Sequence, residues 1–441
     1  MAGGTWIDQN KVRPGVYINY KSAPASLASM GERGTVAIGW LSDWVESGKF
    51  YVIEDPSDCE KLGHAITDDE MLFVRQILKG SNRTNGAKKI LVYALAATGG
   101  AKATVSIDTL VCTAKNNGAF GNNISVTVAE TSGSAYAVSV SLKGEVVEEF
   151  SASSITGLAN SQWIDFTGSL GDAGSGVLAG GANGSAASTA YASFLSALQT
   201  ESFDVVIYDG TDATVKSLFA DFVKSQSNNE GNKCQAVISD YASADNECVI
   251  SVYPQSLTLI DGTVLTAPQV TWWVGGASAG ANVNESLTYA NHPDAADVTP
   301  KLTSSEQEAA ITAGKFAFIA KFWKIQVLTD INTFTSFSTN KGRAFRKNRV
   351  VRTVFGLCND IYKAFALYYI GVTDNDEEGR KSLKGEILNI MDRYQGNRAL
   401  KNVETDDVTV LKGVDSDAVV IETYCQPVDS IEKIYINITI S

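Results

Sequence analysis

The order of apolar and polar residues predicts alternating strands and helices in two sections of the chain. Residues 35–40 and 89–94 are short apolar runs of the kind that form buried strands. Between them, the Thr-Asp-Asp-Glu stretch at 67–70 has the spacing of a capping box, which predicts a helix that ends at Gly80. The pattern resumes after residue 190, with helices predicted around 191–198 and 215–222 and strands at 204–208, 235–239, 248–252 and 270–274. Such alternation predicts a mainly parallel sheet with helices on its faces.

Residues 98–190 have a different character, because they are rich in Gly, Ser, Ala and Thr and contain few stretches that suit a long helix. Short strands between turns are predicted at 105–112, 124–129, 137–142 and 146–150. We therefore predict an all-β domain inserted into the α/β section, with a flexible exit at 178–185.

The last section is predicted to be mixed. Apolar positions that step by three and four predict a long amphipathic helix over 351–371, and a second helix is predicted over 383–396. Residues 305–308 have capping-box spacing, with Gly314 as the end of that helix. The aromatic residues before the long helix are expected in the core: Phe316, Phe318, Phe322 and Trp323.

Both ends of the chain have the pattern of strands. Residues 16–20 alternate after a Pro-Gly turn, and the isoleucines of 434–441 alternate strictly. A lone terminal strand leaves its backbone donors and acceptors unpaired unless another strand joins it. Each end can fold back into its own sheet or add to a sheet of a neighbouring molecule, and two outward ends would produce a polymer.

Composition excludes several classes of protein. The 441 residues suggest about two to four domains, and the net charge of −13 argues against coating nucleic acid. No apolar run is long enough for a membrane span, and the first residues lack the pattern of a secretory signal. The six cysteines form no C-x-x-C pair and suit buried thiols in a reducing compartment. The two histidines are far apart, which disfavours Cys/His zinc sites, multi-His metal sites and His acid–base catalysis.

Charge is unevenly distributed. Residues 311–360 hold nine Lys or Arg against two Asp, a local charge of +7. This run is either a solvated helix start or a docking face for an acidic partner. The acidic stretch 374–378 lacks the glycine and terminal Glu of a calcium loop, and we interpret it as the first turn of the following helix.

Candidate catalytic chemistry is sparse. Residues 276–280 match G-x-S-x-G after a predicted strand, so Ser278 is a candidate serine-hydrolase nucleophile. The expected order of acid and distant histidine is missing, since His292 and Asp294 follow closely. The glycines of 174–180 miss the dinucleotide-loop spacing and favour a structural loop. We predict no enzyme, no catalytic residue, no cofactor and no metal.

An ordered set of motifs resembles a known family. Arg13-Pro14-Gly15-Val16-Tyr17-Ile18 opens the set. The others are 118–126 (GAFGNNISV), 245–252 (DNECVISV), 273–281 (WVGGASAGA), 331–337 (INTFTSF), 347–353 (KNRVVRT) and 426–435 (QPVDSIEKIY). Together they resemble the contractile tail sheath proteins of myophages and R-type phage-tail-like bacteriocins, most closely the Gram-positive branch. The resemblance covers nearly the whole chain and reassigns 276–280 as a turn before a helix.

The resemblance implies an α+β multidomain fold, in which an α/β domain carries an inserted all-β domain and the N-terminal strand completes a C-terminal α+β domain. The expected parts are an N-terminal arm at 1–24, packed with the C-terminal domain, and an α/β middle domain at 25–97 and 191–300. The inserted β-rich outer domain is 98–190. The C-terminal sheath domain is 301–441, with a C-terminal arm at 426–441.

The resemblance also implies a function. Subunits would stack as rings around an inner tail tube, joined by strand exchange, and the metastable sheath would contract to drive the tube through a bacterial envelope. The implied partners are other copies of the chain, the inner tube protein, and baseplate and tail terminator proteins, with no direct nucleic acid and no membrane span. The implied location is a virion tail or phage-tail-like particle assembled in the bacterial host cytoplasm. A type VI-like secretion sheath, a serine hydrolase using Ser278 and a plain α/β binding module are the alternatives.

Two sets of residues follow as candidate assembly sites. The inter-subunit arms are predicted to include Val16, Tyr17, Ile18, Asn19, Tyr20, Ile434, Tyr435, Ile436, Asn437 and Ile438. The candidates for facing an acidic tube are Lys341, Arg343, Arg346, Lys347, Arg349 and Arg352.

Overall fold

A computed structural model describes residues 3–4, 16–17, 33–131 and 135–440. The chain divides into two compact units. The smaller consists of Met1–Gly31 with Leu357–Pro427, and the larger of Glu32–Gly356 with Val428–Ser441.

A seven-stranded sheet forms the centre of the larger unit. Its strands, in spatial order, are Lys315–Phe316, Val249–Val252, Gln235–Ser239, Val205–Tyr208, Thr35–Trp40, Lys89–Ala94 and Phe50–Ile53. Every neighbouring pair is parallel except the last, in which Phe50–Ile53 runs antiparallel to Lys89–Ala94. The predicted parallel sheet is therefore present. It also includes Lys315–Phe316, which lies beyond the domain boundary predicted at residue 301.

Helices cover both faces of this sheet. They are α1 (Leu72–Leu78), α2 (Ser188–Leu198), α3 (Ala213–Ser225) and α4 (Ala267–Gly280), and α5 (Ser304–Thr312) follows in the chain. Successive strand residues enter different cores: Val36 packs in a cluster with α1 and α4, and Ala37 in a cluster with α2 and α3. Because both faces are covered, the strands are apolar at nearly every position.

Smaller sheets surround the central one. Ser256–Leu259 pairs with Val264–Leu265 and Ala295–Thr299, and Phe318–Lys321 forms a hairpin with Lys324–Val327. Short 3-10 helices lie at Pro56–Leu62, Asp69–Met71, Ala119–Asn123, Ile155–Leu158, Ala242–Ala244, Arg343–Arg346 and Thr405–Asp407, and a π-helical turn at Gln226–Glu230. No helix among the described residues is both long and apolar enough to cross a membrane.

The inserted section is built from strands, as predicted. One sheet contains Glu145–Ala152, Tyr136–Leu142, Ile124–Glu130 and Gly174–Val177, and a second contains Ile164–Gly168, Leu110–Ala114 and Thr104–Ile107. Ala97–Thr98 pairs with Ser185–Ala186 where the chain enters and leaves this section. The single strand predicted at 105–112 is two strands, because Asp108 has a positive φ and turns the chain.

The smaller unit contains two long helices and a hairpin. Helix α6 (Asn348–Tyr368) begins in the larger unit and ends here, and α7 (Glu377–Gly396) follows it. Tyr394 Oη donates a 2.8 Å hydrogen bond to Asp360 Oδ2, and Val408–Lys412 pairs with Val419–Thr423. Asp376 caps α7 by accepting from the Gly379 amide, which confirms that 374–378 leads into a helix. Val16–Tyr17 pairs in parallel with Gly3–Gly4.

Two local predictions are wrong in instructive ways. The strand predicted at 270–274 is part of α4, which begins with a Thr266–Gln269 capping box and is buried on all sides from Val270 onward. A run without a polar face cannot be assigned to strand or helix by periodicity. Helix α5 is capped by Thr303 and Glu306, two residues before the predicted pair.

Candidate assembly surfaces

Residues 433–440 are the exposed end of the arm predicted at 426–441. They are called the C-terminal arm below and form the most exposed apolar segment of the described chain. Tyr435 is 89% and Ile440 92% exposed. Within the described residues no β-ladder includes this segment, although its isoleucines alternate as in a strand. The predicted strand is thus an unpaired extension in a single copy of the chain, where its backbone groups have no ladder partners.

The residue before the arm is held by three side chains of the larger unit. Glu432 accepts a 2.7 Å hydrogen bond from Thr288 Oγ1 and a 3.4 Å hydrogen bond from Thr329 Oγ1. It also forms an ion pair with Lys347. These contacts fix the point from which the arm leaves the unit. Glu432 is partly buried, and nothing in the sequence pattern distinguishes it from the exposed glutamates of the chain.

The N-terminal arm candidates are only partly described. Val16 and Tyr17 lie in the two-residue strand paired with Gly3–Gly4. Ile18, Asn19 and Tyr20 lie outside the described residues.

The basic residues predicted to face an acidic partner differ in how deeply they are buried. Arg352 is 1% exposed and donates a 2.5 Å charged hydrogen bond to Asp330 Oδ2, which also accepts from the Leu287 amide. Arg346 is buried as well. Neither side chain can reach another molecule in this fold, so both leave the set of candidate tube-facing residues.

The remaining basic candidates differ in their contacts. Lys341 pairs with Glu247, and Lys347 pairs with Glu432. Arg349 is half-buried, and burial lowers the pKa of its guanidinium from the ordinary value. Arg343 is exposed. Arg343 is therefore the candidate with the freest side chain.

The G-x-S-x-G segment lies inside α4 and is not a turn. A Cβ atom on Gly276 would lie 2.0 Å from the Ile77 carbonyl oxygen, and one on Gly280 would lie 2.1 Å from that of Gly86. The two glycines therefore permit close backbone packing of α4 on α1 and the loop after it. The segment is therefore neither a nucleophile elbow nor a turn before a helix, and both expectations are wrong.

Ser278 and His292 do not form a catalytic pair. Ser278 is fully buried, and its Oγ accepts a 3.4 Å hydrogen bond from Arg352 Nη1. The His292 ring instead bonds Gln76 Oε1 at 2.8 Å, and burial lowers the pKa of His292 to about 3. The geometry of a serine hydrolase is not present at this motif.

An exposed aromatic tip, formed by Phe322 and Trp323, ends the hairpin of Phe318–Lys321 and Lys324–Val327. The expectation that both residues are core is wrong, although Phe316 and Phe318 are fully buried. Phe322 and Trp323 have φ values of 51° and 61°, which bulky residues rarely adopt. Lys321 and Lys324, which flank the two aromatic residues, are the feature of the sequence that indicates a solvent-exposed turn.

Comparison with known proteins identifies the family. Residues 184–333 match the phage tail sheath protein central domain, and residues 340–441 match the phage tail sheath C-terminal domain. The phage-like element PBSX protein XkdK of Bacillus subtilis is 32% identical over 476 residues, which cover 100% of both chains. The chain belongs to the phage tail sheath protein family.

Solved structures agree with this assignment. The sheath tail protein of Desulfitobacterium hafniense is 40% identical, covers 96% of this chain and 99% of its own, and superimposes with a TM-score of 0.83. The anti-feeding prophage helical sheath in its contracted state matches over 98% of this sheath protein and 99% of that chain, with a TM-score of 0.58 and 14% identity. The second likeness concerns the fold alone.

The resemblance inferred from sequence motifs is therefore confirmed. The chain has the mixed α/β fold of sheath proteins and is a structural component of a contractile phage tail or phage-like particle. Its homologues are structural proteins, and no catalytic activity is indicated.

Proposed function

We propose that this sheath protein polymerises around an inner tail tube by inter-subunit strand exchange and contracts to drive the tube through a bacterial envelope. The observation that supports this most directly is the C-terminal arm, which is apolar and exposed after Glu432 and belongs to no β-ladder among the residues that the structure describes. A strand with unsatisfied backbone groups gains ladder hydrogen bonds and apolar burial when it adds to the sheet of another copy. We also propose the N-terminal segment as the second arm, so that every copy is linked to more than one neighbour.

The energy for contraction would come from better burial between subunits in the contracted state. A gain of only about 1–2 kcal/mol per subunit, the size of a typical single contact change, becomes large when many copies act together. The extended sheath would then be metastable, and the arms would keep the subunits connected while the rest of each subunit moves. The proposed partners are the inner tube, the baseplate and the tail terminator, with assembly in the host cytoplasm.

The proposed parts keep the ranges given by the sequence: arms at 1–24 and 426–441, a middle domain at 25–97 and 191–300, an outer domain at 98–190 and a C-terminal domain from 301. The seven-stranded sheet and the two long helices support the middle and C-terminal assignments, respectively. A type VI-like secretion sheath would work by the same mechanism. A binding site for a recycling ATPase distinguishes that alternative, and the sequence contains no clear candidate for one.

The aromatic tip supplies a second apolar surface for assembly. Exposed Trp side chains are common at protein interfaces, and backbone strain of this kind is concentrated at functional sites. We expect Trp323→Ser to leave the subunit folded and to shorten or abolish sheaths.

Truncation tests the arm most directly. A chain lacking residues 434–441 should fold with an unchanged melting temperature and stay monomeric, as judged by sedimentation and negative-stain electron microscopy. Deletion of residues 1–20 should leave a folded subunit that does not polymerise. Sheaths of ordinary length formed by either truncated chain would contradict the arm assignment.

A proline scan separates backbone pairing from simple apolar contact. Successive N–H groups of a strand point to opposite sides. In an arm that is added to one sheet edge, a proline therefore removes a ladder hydrogen bond only if it replaces a residue whose N–H points towards that edge, which is every second residue. Tyr435→Pro and Ile436→Pro should then differ strongly in assembly, whereas an arm inserted between two strands should be disrupted by both. Ile436→Thr is the control, since it keeps the β-branched backbone preference and the N–H donor. Assembly that survives both prolines would argue against strand exchange.

A further inference from the structure

His64 is the buried member of a polar cluster in the larger unit. It is 4% exposed and lies between the rings of Trp40 and Phe120, whose centroids are 6.2 and 5.1 Å from its own. Phe120 belongs to the core of the inserted β-sheets, so this histidine lies where the inserted section packs on the central one.

The two ring nitrogens of His64 have different surroundings. Nε2 is 2.9 Å from Asp43 Oδ1 and donates a hydrogen bond to it. Nδ1 is 3.4 Å from Asp68 Oδ2 and 3.8 Å from Glu70 Oε2, and it makes no hydrogen bond to any described residue. With the proton on Nε2, the Nδ1 lone pair faces two carboxylates. Asp68 Oδ2 accepts from the Ala65 amide at 3.2 Å and from Lys143 Nζ at 3.3 Å, but among the described residues no donor is bonded to Nδ1. A buried lone pair beside two carboxylates favours a cation between them.

We propose that His64 Nδ1, Asp68 and Glu70 bind one divalent transition-metal ion of the zinc class, with the remaining position open to water. The three ligand atoms lie within 4.8 Å of one another. A tetrahedral ion with bonds of about 2.1 Å needs ligand atoms separated by about 3.4 Å, which is the separation of His64 Nδ1 and Asp68 Oδ2. Glu70 is exposed and can close the remaining distance by rotation of its side chain.

The donor set and its support favour this class of ion. An imidazole with two carboxylates suits zinc, manganese or cobalt better than calcium or magnesium, which prefer oxygen ligands alone. Asp43 takes the role of the carboxylate that orients a metal-binding histidine from behind. The sequence lacks cysteine clusters and paired histidines, which are the usual sequence signals of a zinc site. The group in the structure combines one histidine with two nearby acids instead.

A lysine competes for the same carboxylate. Lys143 Nζ lies 3.3 Å from Asp68 Oδ2 and comes from the turn after the strand Tyr136–Leu142. A bound metal would therefore displace Lys143 from Asp68. Removing this ammonium group should strengthen metal binding, whereas a cluster held together only by a proton on His64 predicts no metal binding in any variant.

Cobalt(II) titration of the full-length chain tests the proposal. We expect one equivalent of Co²⁺ to bind and to give the visible absorption of a site with four or five ligands, and zinc to displace it. Asp68→Asn and Glu70→Gln should weaken binding at least about tenfold, and Asp43→Asn by about 10- to 100-fold. Lys143→Met should strengthen it several-fold. Glu60→Gln is the matched control, because it removes one exposed glutamate of the same segment outside the cluster.

Circular dichroism of each variant separates loss of the site from loss of the fold. Absence of a Co²⁺ spectrum in the folded wild-type chain would overturn the proposal. A spectrum that Asp68→Asn and Glu70→Gln leave unchanged would overturn it equally, since the ion would then be bound elsewhere.

Discussion

Lys347 and Glu432 form an ion pair that ties the residue before helix α6 to the residue before the C-terminal arm. The two residues are far apart in sequence, and both belong to the larger unit. Because Thr288 and Thr329 bond the same carboxylate, the arm leaves the unit at a defined point. This anchor determines where the exposed isoleucines are presented.

Loss of this anchor should loosen the arm without unfolding the subunit. We expect Glu432→Gln to remove about 1–3 kcal/mol of charged hydrogen bonding at the arm, seen as faster tryptic cleavage after Lys433 by mass spectrometry. Glu422→Gln, at an exposed position of the smaller unit's hairpin, is the charge-matched control. Equal cleavage rates in the wild-type chain and Glu432→Gln would contradict the anchor.

The buried pair of Asp330 and Arg352 should be essential for stability. Removing one partner leaves an uncompensated buried charge, so Asp330→Asn or Arg352→Met should each lower the free energy of unfolding by about 3–5 kcal/mol. In the double variant, the loss in free energy of unfolding, measured by urea denaturation, should be clearly smaller than the sum of the losses in the two single variants. Losses below about 1 kcal/mol in both single variants would mean that the pair behaves like a surface salt bridge.

The glycines of α4 provide a contrast with its serine. Gly276→Ala places a methyl group against the Ile77 carbonyl and should lower the free energy of unfolding by about 3 kcal/mol or more. Ser278→Ala should lower it by only about 1 kcal/mol. Neither change should alter ester hydrolysis, which should equal the buffer rate in the wild-type chain as well. Thermal unfolding and a p-nitrophenyl ester assay measure the two effects. Esterase turnover that depends on Ser278 would contradict this expectation and support a serine hydrolase.

How far the sequence predicts this fold depends on whether a feature is local. The strands at 35–40 and 89–94 were predicted within their observed bounds, because a short apolar run between turns is a local signal. Helix α4 was mistaken for a strand because it is apolar on every side. Local pattern decides the first case, and only tertiary packing decides the second.

The assembly surfaces show the same limit. The alternation of the C-terminal arm was visible in the sequence, but the two threonine partners of Glu432 are 144 and 103 positions away and its lysine partner is 85 positions away. Likewise, Arg343 and Arg352 look alike in a basic run, and only the position of Asp330 explains why Arg352 is buried. His64 gains its role from Asp43, which is 21 residues earlier.

His292 should make stability fall in acid. Burial, assisted by the charge of Lys79, lowers the pKa of His292 to about 3, whereas in the unfolded chain it is about 6.5. Below the unfolded value the unfolded state therefore binds a proton that the folded state does not. This group alone should remove about 1.4 kcal/mol per pH unit between pH 6 and 4. Urea denaturation at several pH values in the presence of EDTA gives the free energy of unfolding as a function of pH. Between pH 6 and 4 this free energy should fall less steeply in His292→Gln than in the wild-type chain, by about 1.4 kcal/mol per pH unit. Parallel curves for the two proteins would refute this assignment.

Arg343 should contribute to the attachment of the extended sheath to an acidic tube, if the proposed function is right. Its side chain is exposed, whereas Lys341 and Lys347 already pair with Glu247 and Glu432. Arg343→Glu should therefore weaken co-sedimentation with the inner tube several-fold and reduce its dependence on salt, since salt screens exposed charges beyond about 10 Å at 0.1 M. Lys102→Glu, in the inserted section, is the control and should bind as the wild type does. Tube binding by Arg343→Glu with the wild-type affinity and salt dependence would remove the basic run from the tube contact.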